Sequence, residues 1–157
     1  MSAPHFDLVS YWRIQAPIDR VWAALVDIES WPLWWPYVRS VQLLAPARAD
    51  GLGCRHRMEW RTRLPYGITL DTETTALKVP EYLRGRTTGQ LKGEGIWLLR
   101  FEAGITDVTY VYRVEPTGFW LRMLAPVLAL LFRWNHQAVM SVGGAGLSKY
   151  LGERSHG

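Results

Sequence analysis

Residues 14–37 read IQAPIDRVWAALVDIESWPLWWPY, and the architecture turns on how they fold. Pro17 suits a helix start, because its missing N–H would have no partner in a first turn anyway. Val21, Trp22, Leu25 and Ile28 follow helical spacing, so a short helix begins there. Pro32 and Pro36 exclude a long regular helix, leaving Trp31, Trp34 and Trp35 in a second short helix or turn. On the N-terminal side, Phe6 to Ile14 alternate with period two, the pattern of a half-buried strand. On the other side, Val38 to Leu44 read as a strand, and Pro46, Asp50, Gly51 and Gly53 supply turn chemistry.

A series of alternating segments follows. Cys54, His56, Met58 and Trp60 alternate with Arg55, Arg57, Glu59 and Arg61, and Ile68, Leu70, Thr72, Thr74 and Ala76 with Thr69, Asp71, Glu73 and Thr75. Gly95, Trp97, Leu99, Phe101 and Ala103 form one face of a later strand; Val108, Tyr110, Tyr112 and Val114 form one face of the next. Tyr82 to Thr88 is a strand whose facing the pattern leaves open, so Arg84 and Arg86 point either to solvent or inward, where they would hold a carboxylate or phenolate. Pro65-Tyr66-Gly67, Val79-Pro80-Glu81 and Gly104 separate these strands. From Phe119 to Leu151 the spacing is helical, with a kink or a separate first turn expected at Pro126. Gly143, Gly144 and Gly146 weaken that helix and make sense if its backbone passes close to another element.

The order is therefore strand, two short helices, about six strands and a long helix, an α+β arrangement. An antiparallel sheet with one apolar face needs a cover, and only the C-terminal helix, at about 1.5 Å per residue, has the length. A strongly curved sheet around one helix encloses a hollow rather than a solid core.

Ile14 to Trp22, followed by Asp27, Trp31, Pro32, Trp35 and Pro36, resembles the N-terminal signature of the START-like (SRPBCC) superfamily, in its polyketide cyclase/dehydrase-like branch. Gly146-Leu147-Ser148-Lys149-Tyr150-Leu151 is similar to the end of that family's grip helix. The resemblance covers nearly the whole chain. It implies a helix-grip fold: a curved antiparallel β-sheet of about seven strands wrapped around a long C-terminal helix, with two short helices between strands 1 and 2. Family members include aromatic polyketide cyclases, lipid and sterol carriers, hormone receptors, coenzyme Q-binding chaperones and oxygenase domains, so fold alone does not choose a function.

The inward strand faces place His56, Trp60, Thr72, Thr74, Trp97, Phe101, Tyr110 and Tyr112 around the hollow, and the helix adds Phe132, Asn135, His136 and Val139. An apolar chamber with a few polar groups is the form of a small-molecule site. His56 is the acid/base candidate for catalysis, since imidazole titrates near neutrality; a buried, hydrogen-bonded histidine without a catalytic task is the commoner case. Three functions follow: binding of a lipid, quinone or polyketide-like molecule without chemistry; a polyketide cyclase/dehydrase-like enzyme using a pocket acid/base; or a protein-interaction module using the Trp-rich Trp31–Tyr37 rim. Binding without chemistry is the preferred one, because the inward faces offer no carboxylate.

Composition narrows the field. The chain has 157 residues, 48% hydrophobic and 20% charged, which predicts one globular domain over 1–157. Cys54 is the single cysteine, so no disulfide framework or multi-cysteine zinc site forms, and the four histidines at 5, 56, 136 and 156 are too scattered for a metal centre. No cofactor is expected, because no Gly-rich phosphate loop appears. The N-terminus lacks a basic region followed by an apolar core, so a reduced, cytoplasmic protein is expected. The net charge of +4 comes with arginines interleaved with carboxylates, which reads as a solvated sheet face rather than a nucleic-acid surface. Residues 119–134 are apolar nearly all round but too interrupted to span a bilayer. They read as the buried start of the helix, as an interfacial membrane contact, or as a homodimer contact.

Overall fold

A computed structural model of the chain describes residues 6–62 and 67–155; within the last helix, the side chains at 120, 121, 124, 125, 127–129, 132 and 153–155 are outside the description. The turn expected at Pro65-Tyr66-Gly67 lies largely outside the described residues. The alternating segments form seven strands: β1 (Phe6–Ile14), β2 (Val38–Ala45), β3 (Arg55–Trp60), β4 (Ile68–Lys78), β5 (Tyr82–Gly89), β6 (Leu91–Glu102) and β7 (Ile105–Pro116). They make one antiparallel sheet in the order β1-β7-β6-β5-β4-β3-β2. Register shifts in β2 and between Thr74 and Ala76 of β4 mark bulges, which bend and twist strands and so help a sheet curl.

Between β1 and β2 run α1 (Ile18–Val26), a 3-10 turn (Ile28–Ser30) and α2 (Trp31–Trp34). Pro17 is the N-cap of α1, one position before the helix proper, and Pro32 sits in the first turn of α2. The C-terminal helix α3 spans Phe119–Ser155 and runs unbroken through Pro126, so no separate first turn forms. Proline removes one N–H, to which the Arg122 carbonyl would otherwise be bonded, and a helix that is otherwise intact absorbs that loss. Helix α3 packs on β1, β7, α1 and α2, giving the helix-grip arrangement expected from the sequence.

The core is a cluster of indoles. Trp12, Trp22, Trp31, Trp34, Trp35 and Trp97 are all buried. Trp35, 1% exposed, meets Trp12 and Trp60 edge-on and stacks on Trp34. Two of these rings clamp α3 by its main chain: Trp12 Nε1 donates to the Met140 carbonyl at 2.8 Å, and Trp35 Nε1 to the Val139 carbonyl at 2.9 Å. The glycines of α3 explain how the rings get so close. A Cβ at Gly143 would lie 2.4 Å from the Trp35 ring, and one at Gly144 would lie 2.8 Å from Trp12. Gly146 is tighter still, with a Cβ falling 1.8 Å from the Trp34 carbonyl oxygen.

This packing corrects the reading of Trp31–Tyr37 as an interaction rim. Trp31, Trp34 and Trp35 turn inward to cover the end of the sheet, and Leu33 is the residue α2 shows to solvent. A three-tryptophan segment would lose more by facing water than a short helix gains by presenting it.

The facing of β5 is also settled. Leu83 and Thr87 are buried, whereas Arg84 and Arg86 point outward, paired with Glu94 and Glu73. Arg86 does not reach the space between sheet and α3; Arg84 borders it, with its guanidinium paired to Glu94. Arg57–Asp71, Arg113–Asp7 and Arg13–Asp107 continue the same mixed pattern across the outer face.

Candidate functional site: an aromatic-walled cavity

Between the sheet and α3 lies a cavity of about 150 Å³. Alternation on β3, β4, β6 and β7 brings Trp60, Thr72, Thr74, Trp97, Tyr110 and Tyr112 to its wall, and one face of α3 adds Asn135, His136 and Val139. All nine were expected from the sequence. Residues not foreseen also line it, among them Trp31 and Trp35, Phe6 and Leu8 from β1, Met58, Leu70, Leu83 and Thr87 from the central strands, and Met140 from α3; Glu73 and Arg84 border it too, so the expectation of a wall without a carboxylate is corrected. For Met58 and Leu70 the signal was present, since each falls on the inward parity of its strand.

Two expected residues fall elsewhere, and a third is not described. Phe101 has the inward parity of β6 but lies at its far end, opposite Thr106 and past the cover, where it is 47% exposed. It does not line the cavity. The Phe132 side chain lies outside the described residues. His56 is buried on the inner face of β3, yet its Nε2 lies 3.6 Å from Glu29 of the 3-10 turn, and it does not border the cavity. Burial pushes its pKa below the ordinary value, with Glu29 acting in the opposite sense. Its ring also sits 3.8 Å from Cys54 Sγ, but burial, aided by Glu29, pushes the Cys54 thiol up. That is the opposite of what an activated nucleophile needs.

The cavity wall is a row of aromatic rings. Trp97 stacks on Tyr110 at 4.0 Å between centroids, Tyr110 on Tyr112 at 5.5 Å, and Tyr112 lies parallel to His136 at 5.9 Å. Gly95 makes room for this, since any Cβ there would lie 2.6 Å from the Tyr110 hydroxyl. Two polar pairs border the rings. Ser10 Oγ lies 3.3 Å from His136 Nε2, and the Tyr112 hydroxyl bonds with Thr87. Burial pushes Tyr112 up to about 12 and Tyr110 well above its ordinary value, so both are neutral phenols. Among the described residues no group of three or more His, Cys, Asp or Glu side chains is arranged to hold a metal ion.

Burial also pushes His136 down, to about 4. The unfolded imidazole takes up its proton near pH 6.5, so unfolding binds protons between about pH 6.5 and 4. Stability is therefore complete above this window and falls as the pH drops through it, by up to about 3 kcal/mol from this group. Thermal melts of the wild type should show this loss, and His136→Phe should remove the part that His136 contributes, leaving that of His56, which burial also depresses. A melting temperature constant from pH 7 to 4.5 would contradict the placement of His136.

A curved antiparallel sheet gripping one long helix around an aromatic cavity defines the helix-grip class of protein. The sequence agrees: residues 8–141 match the family described as polyketide cyclase / dehydrase and lipid transport, and the chain belongs to that family. A START superfamily protein from Mycobacterium smegmatis superposes with a TM-score of 0.77 at 14% identity, over 96% of this chain and 99% of the other. The Zhui aromatase/cyclase from Streptomyces sp. R1128 gives 0.72 at 11%, over 97% and 96%. A protein from Thermus thermophilus gives 0.70 at 20%, over 92% and 97%. At these identities the likeness is one of fold. No curated protein matches the chain in sequence.

Proposed function

We propose that the protein binds an apolar small molecule (a lipid, a quinone or a polyketide-like compound) in the cavity between sheet and α3, and acts by holding it rather than by transforming it. The carrying observation is the wall itself: stacked aromatic rings and aliphatic groups, with a minority of polar side chains among them. His136 lines the wall as an imidazole whose pKa burial pushes down to about 4, and the expected acid/base, His56, sits outside it against Glu29. Carrier and cyclase part company at this residue. Under the carrier reading, His56→Ala lowers stability by about 1–2 kcal/mol, from lost burial and hydrogen bonding, and leaves affinity for Nile red within about two-fold. Loss of turnover of a polyketide-type substrate in that variant, with binding kept, would support the cyclase instead. The free thiol of Cys54 suits a reducing compartment, and we assign the protein to the cytoplasm on that ground.

A second reading concerns delivery. Phe119, Met123, Leu130, Leu131 and Trp134 on the first half of α3 are exposed, together with Arg122 and Arg133. Among the described residues no helix is long and apolar enough to cross a membrane, so this segment would lie on a bilayer rather than span it. Basic residues beside exposed aromatics suit an anionic surface. The wild type should co-sediment with phosphatidylglycerol-containing vesicles, and Leu130→Glu, at a site 79% exposed, should reduce the bound fraction several-fold without lowering the melting temperature. If vesicles capture nothing and Leu130→Glu converts a dimer to a monomer, the face joins two copies of the chain.

A further inference from the structure

Strand β1 ends the sheet: among the described residues, β7 is its only strand neighbour. An edge strand presents a row of backbone N–H and C=O groups to which another strand can pair. Proteins usually blunt such an edge with lysine, proline, a bulge or an inward charge. β2, at the other edge, has two register shifts. β1 has none of these devices. It keeps one unbroken register with β7 from Phe6 to Ile14, and it contains neither lysine nor proline. Its inner face packs on α3, where Ser10 and Trp12 bond to His136 and Met140. Its outer face is open, with Val9 and Tyr11 both exposed, Tyr11 by 74%.

That outer face is complementary to itself. The only charged residues of β1 are Asp7 and Arg13, and Ser10 lies midway between them. A second β1 laid antiparallel, with Ser10 opposite Ser10, sets each Asp7 against an Arg13 and each Val9 against a Tyr11. Of the registers that keep the outer faces on one side, this alone opposes the two charges. Centring on Val9 sets Asp7 against Tyr11, and centring on Tyr11 sets Arg13 against Val9.

The match continues into each sheet. Arg13 faces Asp107 of β7, which faces Arg100 of β6; Asp7 faces Arg113, which faces Glu94. Across the joint the row runs Arg100, Asp107, Arg13, then Asp7, Arg113 and Glu94 of the second copy, with no like charges adjacent. Opposite charges directly across strands stabilise a sheet, and like charges destabilise it.

We propose that the protein forms a two-fold dimer in which β1 pairs with β1 of a second copy around Ser10, joining the two sheets into one. The proposal is independent of what the cavity holds. Backbone pairing supplies the affinity, and the Asp7–Arg13 pairs fix the register. Phe6 and Leu8 of the same strand line the cavity, so the joint sets two cavities along one continuous sheet.

Sedimentation velocity at micromolar concentration tests this with two charge reversals, Asp7→Arg and Arg13→Asp. Both side chains are exposed, so both variants should fold as the wild type does by circular dichroism. The wild type should sediment as a dimer. Each variant alone sets like charges face to face at both ends of the joint, and its dimer should weaken about ten-fold or more. An equimolar mixture should dimerise again, because the two arginines of one variant then meet the two aspartates of the other. A monomeric wild type overturns the proposal. A dimer that survives both reversals overturns it too, and its loss on Leu130→Glu would place the joint on α3. Variants that stay monomeric when mixed overturn the register centred on Ser10.

Discussion

Gly146→Ala should leave little or no stably folded protein. In an ordinary helix interior the same change would stabilise by about 1 kcal/mol, because alanine loses less backbone entropy. At position 146 the new Cβ would fall 1.8 Å from the Trp34 carbonyl oxygen and 3.0 Å from its carbon. Both atoms are backbone, so no rotamer change relieves the overlap. Helix α3 would have to back away from α2, pulling Val139 and Met140 from the indole N–H groups of Trp35 and Trp12. Overpacking of this kind costs about 1–3 kcal/mol even where side chains can give way, and two buried hydrogen bonds add about 1 kcal/mol or more each. Against a usual domain stability of about 5–15 kcal/mol this is enough to collapse yield or melting temperature. Gly152→Ala is the control: its Cβ would meet nothing within 4 Å, so a small gain is expected there. Urea unfolding of the two variants checks the pair, and a Gly146→Ala protein as stable as wild type would contradict the packing of α3 on α2.

The second large effect is on binding. Thr72→Trp should abolish binding of apolar probes while leaving the protein folded. Thr72 lies mid-strand in β4, between His56 and Thr87, and faces the cavity. Its hydroxyl has a weak partner, Met58 Sδ at 3.9 Å, so little is lost by removing it. An indole projected into a space of about 150 Å³ occupies the room a ligand ring would use. Because it fills a void rather than a packed core, the stability change should stay within about 1.5 kcal/mol. Nile red fluorescence reads the loss of binding, and a thermal melt confirms the fold. Undiminished binding would place the ligand elsewhere on the molecule.

Much of this was legible in the sequence, for a simple reason. Period-two alternation fixes a strand's faces, so Trp60, Thr72, Trp97, Tyr110 and Tyr112 could be assigned inward from their neighbours alone. The three glycines of α3 announced a close backbone contact, though not which rings would make it. Alternation does not say where the cover ends, which is why Phe101, with the right parity, proved to be outside. Nor does it show what a distant segment places over a residue: Glu29, from the turn before α2, caps His56 and removes it from the cavity. On β5 the inward positions are Leu83, Gly85 and Thr87, with only one strongly apolar side chain, so the outward facing of Arg84 and Arg86 could not be read. The direction taken by Trp31, Trp34 and Trp35 was hidden because a four-residue helix has too few positions to display a face. Those rings supply one end of the cavity, and no local pattern marks them as cavity residues.

The central claim is that the cavity holds an apolar small molecule. Native mass spectrometry of protein purified from its own host, with extraction and identification of what it retains, tests this most directly. The account predicts one retained class of apolar compound, released on denaturation and absent from Thr72→Trp. A wild-type protein that emerges empty, and that also ignores a panel of apolar dyes, would contradict it.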